Sequence, residues 1–306
     1  MNTIAVVAPG QMGASLALCI KQANPSIRLV TDASNRSSRT RQLAEQHGYE
    51  DLGSLDAVLS TAEVALSVLV PDKALEFAQQ VAEQARIVHD EGRLKTRFFA
   101  DLNAVAPSTV QRAAAAFEGL PISFVDGSIL GGPAKKDFSP PIALSGPRAE
   151  ELNAFLHPLF LGRTKVVSDQ IGGASALKMS FAALTKGLTG LAVNAALLAE
   201  KNGVTDALQE QLGEERPYIL SVLQKMVPAA TAKAFRWAGE MEEISAAYSD
   251  AGLPAAAQIY EGLAGTQNLI AKSKLGEEAI EDNLRAVQEG RTIADVVKVL
   301  NEGRKE

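Results

Sequence analysis

Two glycines, Gly10 and Gly13, stand directly after a short β-branched run at 4–8 and open an alanine-rich amphipathic stretch at 12–23. A strand that turns into a helix on glycine lets backbone N–H groups approach a pyrophosphate at the positive helix end, which is the chemistry of dinucleotide binding. Gln11 and Met12 lie inside the same turn and share its contacts. The complete fingerprint has a third glycine where this chain has Ala8, a residue without ready access to positive φ. A second strand follows at the expected distance and ends at Thr31-Asp32, where an adenosine ribose is read. The signals there conflict. Asp32 can accept from a ribose 2′-hydroxyl, as in NAD, whereas Asn35-Arg36-Ser37-Ser38-Arg39 offers guanidinium groups and hydroxyls suited to the 2′-phosphate of NADP. A carboxylate facing a phosphate repels it, so one set lines the pocket; the donors favour NADP held by Asn35, Arg36 and Ser37, with NAD as the alternative. Solvated arginines on the following helix are the competing reading. Asp101-Leu102-Asn103 closes another strand at its carboxyl end, the side on which doubly wound sheets bind ligands. Asn103 is thus a candidate contact to nicotinamide or substrate, against a simple helix-entry turn.

The elements that must position these residues are legible. Strands are expected at 4–8, 27–31, 64–70, 97–102, 122–126, 142–145 and 164–167, most of them continuous apolar runs, as strands buried on both faces should be. Helical stretches such as 12–23 and 107–117 alternate with them, the rhythm of a parallel sheet with helical crossovers. After Ile171-Gly172-Gly173 the rhythm changes, and nothing downstream reads as a strand. The expected architecture is an α/β dinucleotide-binding domain with a doubly wound, mostly parallel sheet over 1–168, followed by an all-α domain over 169–306. The first helix of the second domain, 173–201, carries Leu177, Phe181, Leu184, Leu188, Leu191 and Ala195 at three- and four-residue spacing, which predicts a core-facing stripe. Further helices are expected at 205–213, 216–225, 228–249, 255–272, 277–289 and 292–302.

Composition narrows the function classes. The chain has 306 residues, 46% hydrophobic and 22% charged, with 30 Lys and Arg against 36 Asp and Glu. This balance lacks the basic excess that phosphate-backbone binding demands, so a small-molecule substrate is expected and nucleic acid is not. The single cysteine, Cys19, leaves no intrachain disulfide, and three dispersed histidines, His47, His89 and His157, leave no metal site. The start of the chain has no basic segment before its apolar stretch, and the apolar run at 187–199 is too short to span a bilayer. A cytoplasmic protein without membrane attachment is the expectation.

Taken together, these residues resemble the β-hydroxyacid dehydrogenase superfamily, which includes 6-phosphogluconate and 3-hydroxyisobutyrate dehydrogenases and, more distantly, imine reductases. The resemblance rests on Gly10-Gln11-Met12-Gly13 at the first turn, Val68-Leu69-Val70-Pro71 at a strand end, Asp101 to Pro107 after the next, Asp126-Gly127-Ser128-Ile129-Leu130-Gly131-Gly132-Pro133, and Gly173 to Lys178. It implies a Rossmann domain, cofactor contacts from Val70 and Pro71, a substrate loop at 126–133, and a homodimer whose subunits share active sites. It also implies that Lys178, at the superfamily's lysine position, donates the proton when hydride transfer develops negative charge on a carbonyl oxygen. An exposed helix-face lysine is the bland alternative. The second half looks closest to a branch whose carboxy-terminal domain is known as a domain of unknown function, or is attributed to a phosphogluconate dehydrogenase. Ser175 to Met179, Thr185-Lys186-Gly187 and Arg236 to Glu243 carry that likeness.

Three departures bear on substrate. The asparagine one turn after the lysine is replaced, since Phe181 and Ala182 stand there; Thr185, about 20° around the helix from Lys178 and roughly 10 Å along it, is a candidate substrate contact, unless it bonds its own helix backbone. Leu130 occupies the place of the serine that binds a substrate carboxylate. That leaves Ser128 as the nearest hydroxyl and Gly131 and Gly132 as backbone donors to an anion, or as a plain turn. Glu242-Glu243 replaces a lysine-aspartate pair. A larger, less anionic or amine-bearing substrate against an apolar wall of Trp237 and Met241 is expected from these changes, unless the glutamates are a solvated face. Imine reduction is the first alternative activity; a nucleotide-binding or structural protein that lost catalysis is the second.

Overall fold

The structure is a computed structural model and describes residues 1–7, 9–278 and 280–302, so the substitution at Ala8 lies outside the described residues. The amino-terminal half builds one sheet from β1 Thr3–Val7, β2 Arg28–Thr31, β3 Glu50–Asp51, β4 Val64–Ser67, β5 Phe98–Asp101, β6 Ser123–Ile129, β7 Ile142–Ser145 and β8 Thr164–Ser168. Their order is β3-β2-β1-β4-β5-β6-β7-β8, with neighbours parallel except for the antiparallel pair β6 and β7. All seven expected strands are present. The unexpected one, β3, has two exposed acidic residues and no apolar pattern to announce it.

Helices α1 Gln11–Ala23, α2 Ser38–Gln46, α3 Leu55–Leu59, α4 Pro71–Asp90, α5 Pro107–Ala115 and α6 Ala149–Leu156 connect the strands. Strand alternation sorts the apolar residues into two cores. Ile4, Val6, Leu66, Phe98 and Ala100 meet α1 and α6 on one face. Ala5, Val7, Ala65 and Phe99 meet α3, α4 and α5 on the other. Pro71 and Pro107 each stand at the start of a helix, where a missing N–H costs nothing.

Downstream come α7 Gly173–Lys201, α8 Thr205–Glu215, α9 Pro217–Ala230, α10 Ala234–Asp250, α11 Pro254–Ala271, α12 Lys274–Glu277, α13 Ile280–Gln288 and α14 Ile293–Glu302, with no strand among the described residues. The expected single helix over 228–249 is instead the end of α9, a 3-10 turn at Thr231–Lys233 and then α10. Contacts divide the chain into two compact units, Met1–Met179 and Ser180–Glu306. The first turns of α7 thus count with the sheet, placing the division eleven residues beyond the expected 168/169 border.

The stripe on α7 corrects the sequence reading. Leu184 is 76% exposed and Leu191 51%, and Leu177, Phe181 and Leu188 are exposed as well. The buried face instead carries Ala183, Gly187, Gly190, Val193 and Leu197. The reason is closeness: a Cβ on Gly190 would stand 2.9 Å from Leu263 Cδ2 of α11, so small residues take the helix contact and leave the leucines outside. By length and composition α7, at 29 residues, is apolar enough to cross a bilayer, a test that the core helix of a soluble protein passes as well.

Candidate functional site

At the sheet's carboxyl edge, β1 runs into α1 through Gly10. This residue caps the helix in extended backbone with no side-chain cap, and α1 has no acidic residue in its first turn. A Cβ on Gly10 would meet nothing within 4 Å, so the turn presents open backbone at a positive helix end and fits a pyrophosphate. Gln11 is exposed and Met12 half-buried at the mouth of this turn. Gly13 is buried, and its carbonyl accepts the hydroxyl of buried Tyr49 at 2.9 Å, which pins the turn from beneath.

At the end of β2, Asp32 Oδ1 accepts from Ser34 N at 3.0 Å and from Ser34 Oγ at 2.6 Å, so the carboxylate serves its own loop. Arg36 lies over the Phe77 ring, 5.8 Å from its centroid, rather than being merely solvated. Asn35 is exposed, and Ser37 caps α2 by accepting from Thr40 N. Val70 caps α4 with 49% of its surface exposed, and Pro71 follows it as the first helical residue.

Asn103 does not fit the role of ligand contact. It is 3% exposed and its amide is engaged internally: Oδ1 accepts from Leu69 N, and Nδ2 donates to Ser67 Oγ at 3.0 Å. It is a brace that ties the loop after β5 to the Val68–Pro71 loop after β4. Its own N–H donates to Asp101 Oδ1 at 2.9 Å. Burial pushes the Asp101 carboxyl up to about 6; hydrogen bonds from Asn103 work against this, and neighbouring Asp126 adds to it.

The lysine stands at the far end of β6. Lys178 is half-buried on α7, and its Nζ donates to the Ile129 carbonyl at 2.6 Å. The loop that follows carries Gly131, at φ +123°, and Gly132; neither would bring a Cβ within 4 Å of other atoms. This loop is fastened to α1, because Ala134 N donates to Ser15 Oγ on that helix at 3.0 Å. The glycine pair and the Gly10–Gly13 turn are therefore held by one helix. Ser128 corrects the sequence reading: it has no exposed surface, and its Oγ meets no partner among the described residues. It points into the sheet unit and offers no hydroxyl to a substrate.

Beneath the lysine sits a group whose role the sequence left unassigned. Asp126, fully buried, accepts from Ser145 Oγ at 2.7 Å, Gly172 N at 3.0 Å, and both Ser175 N at 3.1 Å and Ser175 Oγ at 2.7 Å. Burial raises its pKa while these donors pull it down. An aspartate and two serines in apolar segments were the available signal; their convergence from three elements was not.

In the helical unit, Thr185 Oγ1 donates to the Phe181 carbonyl at 2.9 Å, so this hydroxyl serves its own helix. Met241 has no exposed surface and Trp237 only 8%, which removes Met241 from an apolar wall open to a substrate. Lys186 forms an ion pair with Glu240 and lies 5.3 Å from the Trp237 ring centroid. Glu240 is thus buried and paired, whereas Glu242 is solvated.

Comparisons with known proteins agree with this architecture. Residues 199–270 match a domain of unknown function, DUF1932. Over 205 residues, 67% of this chain and 74% of the relative, the chain is 24% identical to an uncharacterised 28.5 kDa protein in the 7S RNA 5′ region of Methanothermus fervidus. A conserved hypothetical protein from Sinorhizobium meliloti superposes with a TM-score of 0.67 at 25% identity, covering 97% of this chain and 96% of that one. Mycobacterium tuberculosis 3-hydroxyisobutyrate dehydrogenase with L-serine gives 0.60 at 16% identity over 99% of both chains. An imine reductase from Myxococcus stipitatus in complex with NADP+ gives 0.52 at 17%, covering 97% and 99%. The likeness to the 3-hydroxyisobutyrate dehydrogenase and imine reductase structures is one of fold, and the expected domain of unknown function lies in the second half of the chain.

Proposed function

We propose that this chain is a soluble, cytoplasmic NADP-dependent oxidoreductase that moves a hydride between the nicotinamide and a carbonyl or alcohol substrate, with Lys178 as proton donor. The observation that carries the reading is the Lys178 amine, hydrogen-bonded at 2.6 Å to the end of β6 in the same compact unit as the Gly10–Gly13 turn. Gly10 and the first turn of α1 hold the pyrophosphate, and Val70 and Pro71 border the nicotinamide half. Asn35 and Arg36 take the 2′-phosphate, a choice supported by Asp32 being engaged with Ser34. NAD remains the alternative cofactor.

When bound, the reduced nicotinamide supplies the hydride to the carbonyl carbon. Lys178 Nζ–H gives its proton to the oxygen as the C=O π pair becomes an alkoxide, and water then reprotonates the amine. The Ile129 carbonyl orients the ammonium, and the Gly131-Gly132 backbone offers N–H donors to a polar substituent. Imine reduction is the second reading. It is favoured by the burial of Ser128, which leaves backbone donors and no hydroxyl from 128–132 for a carboxylate.

The test is titration with NADPH and NADH, followed by turnover on aldehydes, hydroxy acids and cyclic imines. Lys178→Ala is expected to lower kcat by about 100-fold or more with little change in NADPH affinity. Tighter binding of NADH, or strong preference for a dicarboxylate or sugar acid, opposes the cofactor and substrate assignments respectively. NADPH binding without turnover on any substrate supports a binding protein instead.

A further inference from the structure

The hydrogen bonds around Asp126 and Lys178 join the same two elements. Ser175 on α7 bonds Asp126 on β6, and Lys178, one helical turn later, bonds Ile129, three residues further along the strand. Both rungs span 49 residues of chain. Three residues advance a strand by about 10 Å and a helix by about 4.5 Å, and the long lysine stem makes up the difference. The reach of Nζ to the Ile129 carbonyl therefore depends on where the first rung is fixed.

That first rung is a carboxylate fully withdrawn from water. Its Oδ2 collects Ser145 Oγ from β7 together with Gly172 N and Ser175 N, and its Oδ1 takes Ser175 Oγ. Ser145 Oγ also accepts from Ala174 N at 2.9 Å, so nearly every polar group at the start of α7 ends on Asp126 or on its serine partner. The helix has no acid of its own in its first turn, and Asp126 supplies that charge from a neighbouring strand. Gly173 permits the approach: a Cβ there would stand 2.4 Å from Ser168 Cβ. Burying a carboxylate costs free energy that an apolar contact of the same shape would avoid. What the carboxylate provides instead is direction, since its two oxygens fix the rotation of α7 as well as its distance.

We infer that Asp126 is a positioning residue for Lys178: it fastens the first turn of α7 to the sheet and so sets where the lysine amine stands at the end of β6. The catalytic part of this inference rests on Lys178 being the proton donor; the mechanical part does not.

The test uses the full chain with Ser175→Ala, Asp126→Asn and Asp126→Ala. Hydrogen exchange of the peptide spanning 172–179 and the labelling rate of the Lys178 amine by an amine-reactive reagent are followed, together with NADPH affinity and turnover. Exchange in that peptide is expected to rise about tenfold or more in Asp126→Asn while β1 to β5 keep wild-type protection, with faster labelling of Lys178. On a substrate that wild type reduces, kcat is expected to fall roughly 100-fold in Asp126→Asn and less in Ser175→Ala, with NADPH affinity unchanged. Uniform loss of protection across the sheet, or unchanged labelling and kcat in a folded Asp126→Asn, overturns the inference. If wild type reduces nothing, the proton-donor reading fails, while exchange and labelling still decide whether Asp126 holds the lysine. Should Asp126→Ala fail to fold, Ser175→Ala and Asp126→Asn give the answer.

Discussion

Asp101 is a residue whose chemistry is displaced by its surroundings. It is 1% exposed, it lies in register with Asp126 on the next strand, and its Oδ2 finds no donor among the described residues. Burial and that neighbour push its carboxyl up to about 6, against an ordinary value near 3.9. The folded chain therefore keeps a proton through a range in which the unfolded chain has lost it. Stability contributed by this group is greatest below about pH 4 and falls as pH rises to about 6, by at most about 3 kcal/mol, then stays level. Asp101→Asn, which retains an acceptor for Asn103 N–H, is expected to be more stable than wild type at pH 8 and to lose that advantage at pH 4. Urea denaturation of both proteins at the two pH values measures it, and equal destabilisation at both would sink the account. The contrast with the glycines shows what a sequence reveals at this scale. Gly10 was legible because a strand-to-helix turn is local chemistry. Asp126 and Asn103 were not, because their partners lie 19 to 49 and 34 to 36 residues away.

At the scale of elements, apolar patterning found seven strands and the helical second half, since buried parallel strands and long helices write their periods plainly. It failed on which face of α7 is buried. Periodicity marks a stripe of leucines but is silent on whether small residues let a neighbouring helix come closer on another side, as Gly187 and Gly190 do for Tyr260 and Leu263. The start of the same helix shows a similar dependence on a missing side chain. Gly173 faces Ser168 and Ser145 at distances that a methyl group cannot share, 2.4 and 3.3 Å from their Cβ atoms, while Gly132 faces open space. Gly173→Ala is expected to destabilise the chain by about 1–3 kcal/mol through overpacking against two strand ends. Gly132→Ala should stay within about 0.5 kcal/mol. Denaturant midpoints for the pair at pH 7 test the comparison, and similar losses in both would mean that α7 has room to shift from the sheet.

For the whole molecule, the outward stripe on α7 raises the question of what covers it. From Leu184 to Leu198 it runs for about 21 Å along the helix, with Leu188 and Leu191 between. Leu188 and Leu191 also border an apolar pocket of about 260 Å³ lined by residues of α8, α9 and α14. Leucines repeated along one helix face form a surface that a second copy can match with the same residues, because a two-fold axis brings equivalent stripes together. We therefore extend the proposed function to a homodimer built on α7, with active sites shared between subunits. Size-exclusion chromatography with light scattering is expected to give twice the chain mass of 32.3 kDa. Leu184→Lys with Leu191→Lys should shift the protein toward the monomer, since two facing charges replace an apolar contact at each crossing. Because the turn at Gly10 lies in the other compact unit, NADPH affinity should survive this change, whereas turnover falls if each active site needs the partner. A wild-type monomer at micromolar concentration would refute the assembly, and a monomeric double variant with full turnover would refute the shared site while leaving the dimer intact.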